Sequence, residues 1–183
     1  MKRTLIEHAA PTLAGLKTAN MFNYKFKSKE QLTEELILLN RELNEKGLYL
    51  DVLRESCQTV LLYVYRKNQL LEELKEVRTR QLLTELGYHH QATIPDLLNR
   101  LKQRLSSSDE FPHEIGVFLG YPIEDVLGFI TNCGSNCKCC GYWKVYGDEQ
   151  KAKRLFSQFT KCREIYLKLY LMGRSINQLI VSV

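Results

Sequence analysis

The stretch GLYLDVLRESCQTVLLYVYR at 47–66 decides the fold. Leu48, Leu50 and Val52 alternate with Tyr49, Asp51 and Leu53, the two-residue period of a strand. Residues 58–66 are rich in β-branched and aromatic side chains, so the two runs read as an antiparallel hairpin with Cys57 in its turn. The second strand is apolar on both faces. That predicts a central position covered by helices on at least one side. The fold class expected is α+β: a small antiparallel sheet, this hairpin plus a later strand, packed by several helices in a single domain over residues 1–183.

Upstream, Ser28 with Gln31 forms a capping-box pattern ahead of Leu32, Leu36, Leu39 and Leu43, which share one helical face, and Gly47 ends that helix. Residues 4–16 read as a short helix broken or restarted at Pro11, because proline fits only a first turn. Downstream, Leu70, Leu74 and Val77 mark a helix expected to run to Gly87. Thr93 and Asp96 cap another that carries Leu97, Leu98, Leu101 and Leu105, and the SSSDE stretch at 106–110 is a loop. In PHEIGVFLGYPIEDVLGFI at 112–130, Gly120 closes one short helix and Pro122 opens the next, with Glu124 and Asp125 in its first turn. CGYWKVYGD at 140–148 reads as a strand of alternating aromatics. Asp148 then caps the longest helix, whose Ala152, Leu155, Phe156, Phe159, Cys162, Tyr166, Leu169 and Tyr170 hold the helical period and are expected to pack on the sheet. It stops at Gly173, and Ser175 with Gln178 starts a final turn.

Composition narrows the function classes. The chain has 183 residues, 44% hydrophobic and 26% charged, the balance of one globular domain. A net charge of +5 spread along the chain lacks the basic stripe of a nucleic-acid binder. No run approaches the roughly 18 apolar residues of a membrane span. In MKRTLIEHAAPTLAGLK, Glu7, His8 and Pro11 interrupt any signal-peptide core, so a cytoplasmic location is expected. There the six cysteines stay reduced.

Candidate chemistry falls in four places. Cys133, Cys137, Cys139 and Cys140 lie within eight residues, close enough for one soft cation to collect them; zinc, iron or an iron–sulfur cluster are the candidates. Zinc sites more commonly use two separated pairs, and reduced loop thiols are the structural alternative. Cys162 falls on a core face. His8, with Lys17 downstream, and His113, beside Glu114, are candidate acid, base or ligand groups, whereas His89 and His90 follow a helix end that favours a cation without any function. Trp143, Lys144 and Tyr146 are candidates for a cofactor site, the aromatics lining a cavity and the lysine meeting an anion. Lys151, Arg154, Lys161 and Lys168 share one flank of the last long helix, suited to a solvated face or to an acidic protein partner.

Three stretches, HAAPTLAGLKTANMF at 8–22, FPHEIGVFLGYPIEDVLGFI at 111–130 and GYWKVYGDEQKAKRLF at 141–156, resemble the clostridial family called domain of unknown function 3793, with the hairpin and helices in matching order. The resemblance implies a His-Cys pair ahead of PTLAG, where this chain keeps His8 but has Ala9, and cysteines ahead of WKVYGD that match Cys137 and Cys139. It also implies, through gene neighbourhood, a link to iron or electron transfer and to a flavodoxin-like or other acidic redox partner. The function expected is therefore a metal- or cofactor-associated accessory protein of iron or redox metabolism. The alternatives are a small enzyme, a hydrolase or transferase, using His113, His8 or a thiol, and a non-catalytic interaction module.

Overall fold

A strand in which every residue but the first is buried needs hydrogen-bonded neighbours along both edges and side-chain cover on both faces, and Thr59–Arg66 is such a strand. The computed structural model describes residues 1–89, 91–107 and 111–182, so His90 and positions 108–110 of the SSSDE loop lie outside the described residues. In it Ala19–Lys25 (β1), Leu48–Ser56 (β2) and Thr59–Arg66 (β3) form one antiparallel sheet in the order β1-β3-β2. The hairpin and its central second strand stand as the pattern implied. The third strand of this sheet comes before the hairpin, not after it: ANMFNYK lacks a clean alternation, with asparagines at Asn20 and Asn23, yet its Phe22 pairs Leu62 on the buried face.

The chain divides into two compact units, Met1–Leu70 with Lys161–Val183, and Leu71–Thr160. In the first, one face of the sheet carries Phe22, Leu50, Val60, Leu62 and Val64 into a core shared with helices α1 (Lys2–Leu13), α2 (Lys29–Asn44) and α9 (Ile176–Leu179). Ser28 and Ser175 cap α2 and α9 as their spacing predicts. Helix α1 runs through Pro11 without breaking. Pro11 sits in the last turn, and burial of Leu5, Ile6, Ala9 and Leu13 outweighs the one helical hydrogen bond it forfeits. Edge strand β2 is protected by Asn40 of α2, whose amide donates to the Leu50 carbonyl and accepts from the Leu50 N–H, each at 2.9 Å.

The second unit begins within α3 (Lys67–Lys75) and continues through α4 (Val77–Glu85), α5 (Ile94–Ser107), α6 (Ile115–Phe118) and α7 (Ile123–Thr131). The single helix expected from Leu70 to Gly87 divides at Glu76, whose carboxylate accepts from the Thr79 N–H at 2.6 Å and so starts α4 afresh. The aromatic strand is reduced to β5 (Lys144–Val145), paired with β4 (Cys139–Cys140) in a separate ribbon. Helix α8 (Glu149–Leu171) was expected to pack on the sheet along its length. Its Tyr166, Leu169 and Tyr170 do pack against the first unit's core, but Ala152, Leu155, Phe156 and Phe159 belong to a cluster with Trp143 and Val145. Among the described residues no helix is long and apolar enough to cross a membrane.

Arg66 closes the first unit. It stands at the end of β3, only 4% exposed, and its guanidinium donates to the carbonyls of Thr12 (2.6 Å), Leu13 (2.7 Å) and Val181 (2.7 Å). The first two are C-terminal carbonyls of α1, which the helix itself leaves unpaired and where positive charge is favoured. Arg66→Met removes three charged hydrogen bonds, so a loss of about 3 kcal/mol or more is expected in urea unfolding, although Thr12 and Leu13 keep bonds from the Gly15 and Val181 N–H groups; Arg66→Lys recovers only part because one ammonium cannot reproduce the fork. A loss below about 1 kcal/mol in Arg66→Met would show that water already serves those carbonyls.

Candidate functional site

Helices α6 and α7 are two short apolar pieces joined at Gly120, which takes the left-handed conformation (φ +68°) that lets the chain reverse. Glu114, just ahead of α6, is 2% exposed and accepts from the Tyr88 hydroxyl at 3.0 Å and from Arg104 Nε, which fastens the pair to α5 and to the turn after α4. A Cβ on Gly116 would stand 2.8 Å from Val126 Cγ2, so only glycine allows α6 to lie this close to α7. The buried Glu114 carboxylate and the loss of solvent push the Tyr88 phenol well above its ordinary range, burial being the larger cause.

The central group is Asp125 in the first turn of α7. It is 3% exposed, and its carboxylate accepts three hydrogen bonds: Trp143 Nε1 at 2.6 Å and the backbone N–H groups of Tyr146 and Gly147, both at 2.7 Å. Trp143 is thereby aimed and clamped, stacked on Tyr121 (centroids 4.9 Å apart) and edge-on to Phe156 at 4.6 Å. Tyr121 in turn donates to the Tyr142 carbonyl at 3.2 Å, and burial pushes its phenol up to about 12. These walls enclose a cavity of about 260 Å³ lined by Phe111, His113, Ile115, Gly116, Tyr121, Asp125, Val126, Phe129, Trp143 and Lys144. A second cavity of about 290 Å³ shares Asp125 and Trp143 and is otherwise lined by residues such as Pro122, Asp148, Lys151 and Leu155.

Three sequence-derived candidates therefore meet in the first cavity: His113, Trp143 and Lys144. His113 is exposed, with its ring 4.8 Å from that of Phe129. Lys144 lies 5.6 Å over the face of the same Phe129 and donates to the Gly134 carbonyl at 2.7 Å. Tyr146 lines neither cavity. Its backbone serves Asp125, its ring lies against Gly128, where an added Cβ would clash, and its enclosed hydroxyl has no hydrogen-bond partner. Burial, then the neighbouring Cys137 and Cys140 thiols, raise that phenol.

His8 and Lys17 belong to the first unit, and the cavity's lining is drawn wholly from the second. His8 is an exposed residue within α1, stacked on Phe22 at 5.3 Å. Ala9 is fully buried in the core beside Leu5 and Leu13, so a cysteine at this place would be a packed thiol, unsuited to nucleophilic attack. Cys133, Cys137, Cys139 and Cys140 are all free thiols, two exposed and two half-buried. Among the described residues no three His, Cys, Asp or Glu side chains stand together where they could hold a metal ion, so the expected thiol cage is not assembled in this arrangement. Burial, then Glu149, raises the Cys139 thiol, and burial pushes Cys162 up to about 11, which suits a packed structural role.

Asp125, Tyr121 and Phe129 escaped the sequence reading. Asp125 satisfies the rule that acids favour a helix's first turn, and that sufficient explanation hid its second task. The usable signal was its company: an acid set among the apolar residues of YPIEDVLGFI must be paired if it is buried.

Fold and site together define an α+β protein with a preformed, largely aromatic cavity in its second unit. The family model described as protein of unknown function DUF3793 matches residues 5–180, and the chain belongs to that family. No curated protein and no solved structure matches it.

Two measurements probe these buried charges. Burial lowers the Lys17 ammonium from 10.5 to about 7, although its Nζ donates to the Ala19 carbonyl. Between pH 7 and 10.5 the unfolded chain keeps a proton that the folded one releases, so stability rises with pH across that window, by up to roughly 5 kcal/mol at about 1.36 kcal/mol per pKa unit. Below pH 7 both states are protonated and the cost is constant. Lys17→Met is expected to flatten the rise; parallel pH–stability curves for variant and parent would show that Lys17 is hydrated. Asp125→Asn keeps one acceptor oxygen but turns an amide toward the Trp143 N–H, so a loss of about 1–3 kcal/mol and a red-shifted emission from the chain's only tryptophan are expected.

Proposed function

We propose that the protein binds a small organic ligand or cofactor fragment with a compact apolar or aromatic body and one anionic group, held in the cavity between the α6–α7 pair and the β4–β5 ribbon. The observation that carries this reading is that His113 from one segment and Trp143 and Lys144 from another converge on a walled apolar space. Its volume exceeds the roughly 150 Å³ that accommodates a benzene ring, so one or two rings fit. Aromatic walls with a few convergent polar groups are the usual make-up of a small-molecule site. Lys144 supplies positive charge at its edge, and His113 adds an imidazole able to hydrogen-bond a polar group.

This keeps the cofactor half of the expectation drawn from sequence. An iron or redox role has the clustering of four cysteines in sequence as its support, without a donor set in space among the described residues. A histidine-dependent enzyme would use His113 alone of the two imidazoles at this cavity.

The test uses Trp143 as its own reporter. Phenylacetate and hydrocinnamate are expected to change its emission saturably and to raise the melting temperature, toluene to do so at least tenfold more weakly, and Lys144→Gln to remove the preference for the acids. Unchanged emission with every probe up to millimolar concentration would sink the proposal.

A further inference from the structure

The second unit carries another cavity that shares no lining residue with the site above. It measures about 210 Å³ and opens among α3, α4, the turn after Gly87 and the start of α5. Its floor is apolar: Leu74, Leu83, Ile94 and Leu97 line it, and each is less than a tenth exposed. Its mouth is basic. Lys75, Arg80 and His89 line it and are all exposed, and no aspartate or glutamate is among its lining residues. The acids nearby have partners of their own, one of them at the mouth. Glu72 pairs with Lys75 at 2.6 Å, Glu76 accepts from the Thr79 N–H, and Asp96 holds the N–H and hydroxyl of Thr93.

We propose that this cavity binds a short anionic amphiphile, with its hydrocarbon tail on the leucine floor and its carboxylate or phosphate head at Arg80. A buried floor left open beneath a basic mouth matches that ligand and disfavours its relatives. A neutral alcohol of equal length gains the floor but not the guanidinium, and a bare anion gains the guanidinium but not the floor. Arginine is the group at the mouth that suits either head, because its planar fork meets two oxygens at once. Lys75 is already paired with Glu72, so the net charge at the mouth rests on Arg80. The size of the space limits the tail, since it is only somewhat larger than a cavity that takes one benzene ring.

Titration calorimetry of the full chain with octanoate, octyl phosphate and octanol tests this. At least one of the two anions is expected to bind at least tenfold more tightly than octanol, and which of them does so identifies the head. Shortening the preferred anion to four carbons is expected to weaken it at least tenfold, each methylene withdrawn from water being worth about fourfold. Arg80→Gln, at an exposed position where folding should survive and can be checked by circular dichroism, is expected to reduce the anion to the level of octanol. The part of the heat that depends on Arg80 belongs to this cavity, because Arg80 does not line the one assigned above. Equal binding of octanol and both anions, no binding of either anion, or parental affinity in Arg80→Gln would each overturn the proposal.

Discussion

The second unit's site depends on one buried carboxylate. Strands of two residues, Cys139–Cys140 and Lys144–Val145, form a ladder too short to hold itself in water, where even a longer isolated hairpin is marginal. Asp125 supplies what the ladder lacks. By accepting from the Tyr146 and Gly147 N–H groups it fixes the chain just past β5, and by accepting from Trp143 Nε1 it fixes the largest side chain of the ribbon. A single charged acceptor with three donors is stronger than three neutral pairs, and its burial is tolerable because every oxygen is in use. The aromatic cluster of Tyr121, Trp143, Phe156 and Phe159 then packs on a frame already set.

The first unit uses the opposite charge in the same way. Arg66 gathers carbonyls at the end of α1 and in the C-terminal segment, just as Asp125 gathers N–H groups just past the ribbon. In both, a buried ion meets backbone dipoles and not a counter-ion. Such groups specify where chain ends go, which hydrophobic burial alone cannot, because it is non-directional.

What the sequence made legible follows from this division. Period and capping revealed the hairpin, the central place of β3, the caps at Ser28, Thr93, Asp148 and Ser175, and the turn between α6 and α7, because each is a local pattern. Strand β1 was missed because Asn20 and Asn23 spoil its alternation, and its pairing with β3 is a long-range event. The split at Glu76 was missed because a glutamate cap is weaker as a signal than serine or aspartate. Of the candidate site, the cavity-facing residues of the ribbon were partly legible, Trp143 and Lys144 among them, and so was His113. Their common carboxylate was not, since no local rule distinguishes an acid that soothes a helix dipole from one that organises a loop 18 to 22 residues away.

The cysteine-rich loop shows how strand pairing places neighbouring thiols. Four thiols in eight residues can converge only if the backbone between them curls around one point. Here Cys139 and Cys140 are instead drawn into a ladder, opposite Val145 and Lys144, and consecutive side chains of a strand point to opposite faces. Cys133 sits at a positive φ of 48° beside Gly134, in the turn whose carbonyl receives Lys144. The turn that carries Cys133 is thus the one that holds Lys144 over Phe129 at the cavity's edge. A strained, non-glycine turn persists only where its surroundings over-determine it. Here those surroundings include the Lys144 bond to the Gly134 carbonyl and the Phe129 ring against Gly134, so the turn is tied to two residues that line the cavity.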